Sequence, residues 1–211
     1  MAETLKDENR LTLFGIMAFN ILFYYAVIKH DAIIGGDWMT LARETGDILP
    51  AGVGLALSGI INALLSSDTK ARIIFTRWKD PLPGCRAFSK YGLRDHRVNM
   101  QHLESKHGPL PTEPREQNVV WYKLYRSIQN EAEIKNVHRW FLFARDYACI
   151  ALLILLIMGI AGFFLIPSTK TAWFYFAILL LQFLITLIAA RNLGIRFCTT
   201  VLALKGVDHN G

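Results

Sequence analysis

Chemistry-bearing residues gather in one polar stretch, DPLPGCRAFSKYGLRDHR, residues 80–97. Four cations stand in it: Arg86, Lys90, Arg94 and Arg97. Lys70, Arg72, Arg77 and Lys79 precede them, against only Asp68, Asp80 and Asp95. Such an excess attracts phosphate-bearing groups: anionic lipid headgroups, a phosphorylated ligand such as a nucleotide, or nucleic acid. Bases that flank the end of a membrane helix commonly do no more than mark topology and hold headgroups. Nucleic acid is the weakest target, because no helix-turn-helix, zinc or RRM pattern is present. Within RDHR, Arg94, Asp95, His96 and Arg97 mix acid and base, as an enzyme acting on a lipid or phosphate would need. Salt bridging or helix capping accounts for them equally well.

Other reactive groups carry less. His96, His102 and His107 are six and five residues apart, a spacing that fits neither HExxH nor one face of a helix, so no metal and no cofactor are expected. Cys85, Cys149 and Cys198 form no CxxC pair and predict no disulfide framework. Cys85 lies beside Arg86, but a low-pKa thiol needs a more specific setting, and an inert thiol is expected. GxSxG, the P-loop, GxGxxG and HExxH are all missing. With no catalytic motif, the positive argument for an enzyme falls away, and the reading leans to a non-enzymatic chain without excluding a novel enzyme.

The elements that position these residues follow from hydropathy. Of 211 residues 53% are hydrophobic and 19% charged, with a mean hydropathy of +0.29. The apolar residues form blocks rather than a periodic pattern, so the bilayer is the natural solvent. Four blocks approach the roughly 20 residues a helix needs to cross: 11–29, 49–65, 147–167 and 172–190. The second is glycine-rich and at the lower limit, so a buried re-entrant segment is its competing reading. The leader MAETLKDENR mixes acids with bases and no small-x-small site follows the first block, which reads as a retained anchor.

With four spans, the leader, the long connection Ser66–Arg145 and the tail share one side. That side holds 20 of the 23 basic residues, including Lys6, Arg10, Arg191, Arg196 and Lys205. The positive-inside rule then puts both termini and the connection in the cytoplasm of a bacterial inner membrane. The short outer connection carries Lys29 and Arg43, with Trp38 and Met39 as an interfacial segment. The expected fold is an all-α, four-span membrane protein with a small helical cytoplasmic module between spans two and three. Its parts are 1–66, 67–145, 146–190 and 191–211.

Within the module, Ala71, Ile74, Phe75 and Trp78 fall on one helical face, and DPLPG is expected to end that helix. GPLPTEP is a second break, after which Thr112 or Glu113 caps a helix with Pro114 in its first turn. Trp121, Leu124, Tyr125 and Ile128 continue its apolar face. Val137, Trp140, Phe141 and Ala144 repeat the spacing into span three. The tail, RNLGIRFCTTVLALK, is expected to extend as a helix alongside the module.

Span two carries a stripe of small residues, Gly52, Ala56, Gly59 and Ala63, which favours close helix association. Gly54, Ser58 and Asn62 form a second, more polar stripe. Asn20 in span one and Gln182 and Thr186 in span four are also embedded, and polar groups at such depth face protein or water. Asn20, Ser58 and Asn62 with the small stripe are therefore the expected helix interface, or the lining of a pore in a homo-oligomer.

This layout resembles that of small bacterial membrane effectors that perturb the membrane on a cytoplasmic signal, among them ones used in phage defence. The resemblance is one of architecture over the whole chain, and no motif carries a residue across. It implies a non-enzymatic, oligomeric effector or channel-like protein. Arg86, Lys90, Arg94 and Arg97 would receive a phosphorylated ligand or a cytoplasmic protein partner. A membrane-bound enzyme on a lipid or phosphate substrate, and a scaffold recruiting a cytoplasmic protein, are the alternatives.

Overall fold

The computed structural model describes residues 9–36, 39, 46 and 48–206. Most of the leader, Trp38, Arg43 and the last five residues lie outside this set, and so do the readings placed on them. Among the described residues the chain is helical, with no strand. The helices are α1 (Arg10–Ile28), α2 (His30–Gly35), α3 (Ile48–Leu64), α4 (Ser67–Phe75), α5 (Met100–His107), α6 (Pro114–Ile128), α7 (Ala132–Leu165) and α8 (Thr169–Lys205). Among them α1, α7 and α8 are each long and apolar enough to cross a membrane. The count rises to four if α3 and α4, a bent pair, make one span.

The chain divides into two compact units, Met1–Leu65 with Asp146–Leu187, and Ser66–Arg145 with Ile188–Gly211. We call them the apolar and the polar unit. Helices α7 and α8 contribute to each.

In the apolar unit the core joins Tyr24, Ala51, Leu55, Ile154, Met158, Tyr175 and Leu179. Glycines let its helices approach. A Cβ on Gly54 would stand 2.2 Å from Met158 Sδ, and one on Gly162 would stand 3.1 Å from the Tyr175 ring. Helix α7 relaxes through a π turn at Leu155–Gly159. The polar stripe of α3 faces inward: Ser58 is fully buried and Asn62 nearly so. The small-residue stripe does not pack in the same way. Gly52 and Gly59 are half-buried, Ala56 and Ala63 are exposed, and a Cβ on Gly52 would meet nothing within 4 Å.

The polar unit is centred on Phe197, whose ring packs on four others: Trp121 at 5.4 Å, Tyr125 at 5.3 Å, His138 stacked at 4.6 Å and Phe141 at 6.1 Å. Trp121 Nε1 also donates to the Cys198 carbonyl, 3.2 Å away, which ties α6 to α8. Helix α6 begins as its sequence directs. Pro114 occupies the first turn, and the Glu113 carboxylate accepts from the backbone N–H groups of Arg115 and Glu116.

Three local readings need correction. The first helix of this unit ends at Phe75, not at DPLPG. Thr76 adopts a left-handed conformation (φ +48°), and Trp78, beyond the helix, is 85% exposed. In α7 the buried face is Ile134, Val137, Phe141 and Ala144, with Trp140 outside it at 48% exposed. Trp140 instead meets Phe143 edge-on and lies under the Arg139 guanidinium. Helix α5 has no counterpart in the sequence reading. Asn99 Oδ1 caps it through the His102 N–H at 2.9 Å, and Gly108 leaves it with φ +80°.

Candidate functional site

The stretch 80–97 is a partly buried wall rather than an exposed loop. It winds through 3₁₀ and π turns over residues 83–94, burying Pro83, Gly84, Cys85, Ala87, Phe88, Tyr91 and Gly92. Gly84 permits this, because a Cβ there would stand 2.3 Å from Asn118 Oδ1 and 2.8 Å from the Trp121 ring. Gln117, fully buried on α6, fixes the coil from the other side. Its Oε1 accepts from the N–H groups of Phe88 and Ser89 at 3.1 Å each, while Nε2 donates to the Thr112 carbonyl at 2.7 Å. The buried Phe88 N–H is thereby paired, together with the Ser89 N–H and the Thr112 carbonyl, which gives a polar side chain its place in this core.

Fixing the coil this way places its cations around a cavity of about 800 Å³, confined to the polar unit. Arg77, Lys90, Arg94, Arg97 and Arg191 line it, together with Asp95, His96 and Thr199, over an apolar floor of Phe75, Tyr91 and Ile195. Five formal positive charges thus face one acid among the described lining residues.

That acid is already engaged. Arg97 holds Asp95 with two parallel bonds, Nε to Oδ1 at 3.0 Å and Nη2 to Oδ2 at 2.7 Å. Arg97 Nη2 also reaches Thr199 Oγ1 on α8 at 3.3 Å. The guanidinium hydrogen bonds hold the Asp95 carboxyl well below the usual carboxylate range and raise Arg97 in turn. A carboxylate fixed in this way does not exchange protons near neutrality, so it is poorly suited to general acid–base work.

Arg191 is engaged differently. Its Nε donates to the Ile74 carbonyl and its Nη2 to Thr76 Oγ1. It therefore caps the last turn of α4, where a cation also meets the negative end of the helix dipole. Arg77 donates to the Tyr91 hydroxyl at 3.4 Å. Among the described residues no carboxylate pairs with Arg77, Lys90 or Arg94. Their charge is open to an incoming anion.

Of the four cations read from sequence, Lys90, Arg94 and Arg97 share the cavity. Arg86 does not line it, because its Nη1 donates to the Asp80 carbonyl at 2.9 Å. Asp80 in turn meets Arg115 at 3.3 Å. The sequence reading missed Arg77 and Arg191 as members of the site. Arg77 stood in the basic run, but no local pattern connects Arg191, about a hundred residues downstream, to it. The Cys85 thiol is buried and pushed up, chiefly by desolvation, the opposite of an activated cysteine.

The residues read as a helix interface stand apart from this cavity, in the apolar unit. Asn20 is buried and Nδ2 donates to the Ile16 carbonyl at 2.9 Å. Ser58 Oγ donates to the Gly54 carbonyl at 2.8 Å. Gln182 Nε2 reaches the Tyr147 hydroxyl at 3.1 Å. Asn62 Oδ1 is buried with no hydrogen-bond partner.

No protein-family model matches the chain, and comparison with curated proteins and with solved structures finds no significant match.

Proposed function

We propose that the chain is a four-span membrane effector whose cytoplasmic polar unit receives a phosphate-bearing anion and thereby controls a homo-oligomeric, channel-like assembly of its apolar helices. The observation that supports this most is the cavity itself. Five cations surround it, its one described acid is neutralised by Arg97, and Arg77, Lys90 and Arg94 have no acidic partner among the described residues. A ligand with several negative charges matches that imbalance, and the apolar floor suits one that also carries a flat or apolar group. Anionic headgroups are the membrane-borne form of the same chemistry. The small-residue stripe of α3, open along Ala56 and Ala63, supports assembly through close helix contacts.

Sensing is favoured over catalysis by the state of Asp95. An enzyme reading keeps one observation, that His96 lines the same cavity. Phosphatase or lipase turnover abolished in His96→Ala would establish it.

The test is conductance and size together. Purified full-length protein in planar bilayers is expected to conduct as discrete multimers, with tripolyphosphate on the cytoplasmic side changing the open probability. A monomer in detergent with no conductance in either condition would overturn the reading.

A further inference from the structure

Helix α8 carries a ruler for the bilayer. Between Lys170 and Arg191 stand 20 residues with no charge among them. From one cation to the other the helix rises about 32 Å, close to the roughly 30 Å hydrocarbon core of a bilayer. Trp173, 59% exposed, lies three residues beyond Lys170, where interfacial aromatics gather. On the four-span reading Arg191 therefore marks the cytoplasmic edge of the hydrocarbon. Headgroups fill roughly 5–8 Å past that edge, a depth that α8 crosses in about four or five residues. Arg191 and Ile195 fall within it, and both line the basic cavity.

The charge of the cavity suits one form of phosphate. Arg97 is spent on Asp95, while Arg77, Lys90 and Arg94 have no carboxylate partner among the described residues. A phosphomonoester brings about −1.5 to −2 charges and three acceptor oxygens. A phosphodiester brings a single charge, and a choline headgroup cancels even that. Arg191 can contribute without leaving α4, because a guanidinium has five N–H donors and the bonds to Ile74 and Thr76 use two of them. Apolar side chains beside these cations favour a membrane-borne source. Trp78 follows Arg77 and is 85% exposed, and Leu93 precedes Arg94 and is 67% exposed. Among the described residues of the polar unit no other large hydrophobic side chain is as exposed. At a membrane surface such residues meet the interface while neighbouring cations meet anionic headgroups. A free anion gives neither side chain a role.

We propose that the basic cavity takes the phosphomonoester headgroup of a bilayer lipid, phosphatidic acid in its simplest form, rather than a free phosphate compound. The phosphate oxygens accept from Arg77, Lys90 and Arg94, with Arg191 at the edge of the hydrocarbon, and the acyl chains stay in the bilayer. This inference rests on the proposed reading of the cavity as an anion receptor in a four-span chain.

Native mass spectrometry of the full-length protein, released from detergent with dioleoylphosphatidic acid, dioleoylphosphatidylcholine or glycerol 3-phosphate, tests it. Phosphatidylcholine has the chains without the monoester, and glycerol 3-phosphate has the monoester without the chains. The wild type is expected to retain one phosphatidic acid per chain at least tenfold more tightly than either. Lys90→Ala with Arg94→Ala is expected to abolish the preference over phosphatidylcholine, and Arg86→Ala, outside the cavity, to keep it. Equal retention of the two lipids by the wild type would overturn the proposal, as would glycerol 3-phosphate held as tightly as phosphatidic acid. So would an unchanged preference in the double variant. Where any of these accompanies tripolyphosphate binding that depends on Lys90 and Arg94, the lipid assignment falls and the receptor reading stands. A wild type that binds neither tripolyphosphate nor phosphatidic acid overturns both. Should the double variant fail to fold, the three probes on the wild type still decide.

Discussion

The two units satisfy their buried polar groups in opposite ways. In the apolar unit most of these bonds stay within one helix. Asn20 bonds to the Ile16 carbonyl, Ser58 to that of Gly54, and Thr186 to that of Gln182. In the polar unit they join distant segments. Gln117 holds the coil at Phe88 and Ser89, Trp121 holds Cys198, and Arg191 holds Ile74 and Thr76. One pair of rings shows a contrast: Phe174 of the apolar unit is 61% exposed, while Phe197 of the polar unit is 4% exposed within four rings. In hydrocarbon, apolar side chains gain little by being covered, and polar groups are safest turned onto their own backbone. In water the driving force is burial, and specific polar bonds fix which surfaces meet. The two patterns are what the proposed reading, one unit in the bilayer and one in water, expects.

The comparison breaks most easily at its largest expected effect. Phe197→Ala leaves a hole among four rings and is expected to cost about 3–5 kcal/mol. Unfolding of full-length protein in lipid nanodiscs, followed by tryptophan fluorescence, would show it. Phe174→Ala should leave the same midpoint nearly unchanged, and equal losses would remove the distinction.

Gln117→Leu comes next. It strands the buried N–H of Phe88 and is expected to cost about 1–3 kcal/mol. Ser58→Ala removes a bond to a carbonyl the helix already uses and should cost under about 0.5 kcal/mol. Denaturant midpoints of the two variants measure the contrast.

Acid should act on the polar unit through His138. Burial holds this histidine down at about 4, from an ordinary 6.5. Above pH 6.5 folded and unfolded forms are both neutral there, so nothing is lost. Between 6.5 and about 4 only the unfolded form takes up the proton, and stability falls as pH falls, by up to about 2–3 kcal/mol. His138→Phe, which keeps the stack on Phe197, should flatten the unfolding midpoint across that range.

The smallest effect is expected at Asp95. Its depressed carboxyl contributes stability that is complete above the ordinary carboxylate range and is lost as pH falls from that range down to its own lowered value. Arg97 is 51% exposed and Asp95 20%, so Asp95→Asn should cost under about 1 kcal/mol at pH 7, and the two proteins should converge only in acid well below the ordinary carboxylate range. Melting curves at pH 7 and pH 3 would measure the full difference and the start of its loss.

How much of this could be read in the sequence depended on range. Long apolar blocks announce α1, α7 and α8, because length and hydropathy are local properties. The Glu113 cap with Pro114, and the face of Trp121 and Leu124, were legible for the same reason. The end of α4 was not. Prolines at 81 and 83 drew attention, whereas the actual stop is capped by Arg191, far along the chain. Trp140 was misplaced because a half-polar helix offers two adjacent stripes, and Ile134 selects the other. The coil at 83–94 looked like a loop because its burial depends on Gly84 and Gln117, a glycine and a glutamine 33 residues apart. The cavity was half legible: Lys90, Arg94 and Arg97 stood in one basic stretch, while Arg191 joined them only through tertiary folding.

The central claim is that this cavity, rather than general positive charge, receives the anion. The direct measurement is tripolyphosphate binding by full-length protein in nanodiscs of uncharged lipid, followed by calorimetry at fixed ionic strength. Lys90→Ala with Arg94→Ala is expected to weaken binding by at least tenfold, and Arg86→Ala, which removes the same kind of charge outside the cavity, to leave it unchanged. Equal loss in the two proteins, or no loss in either, would contradict the account.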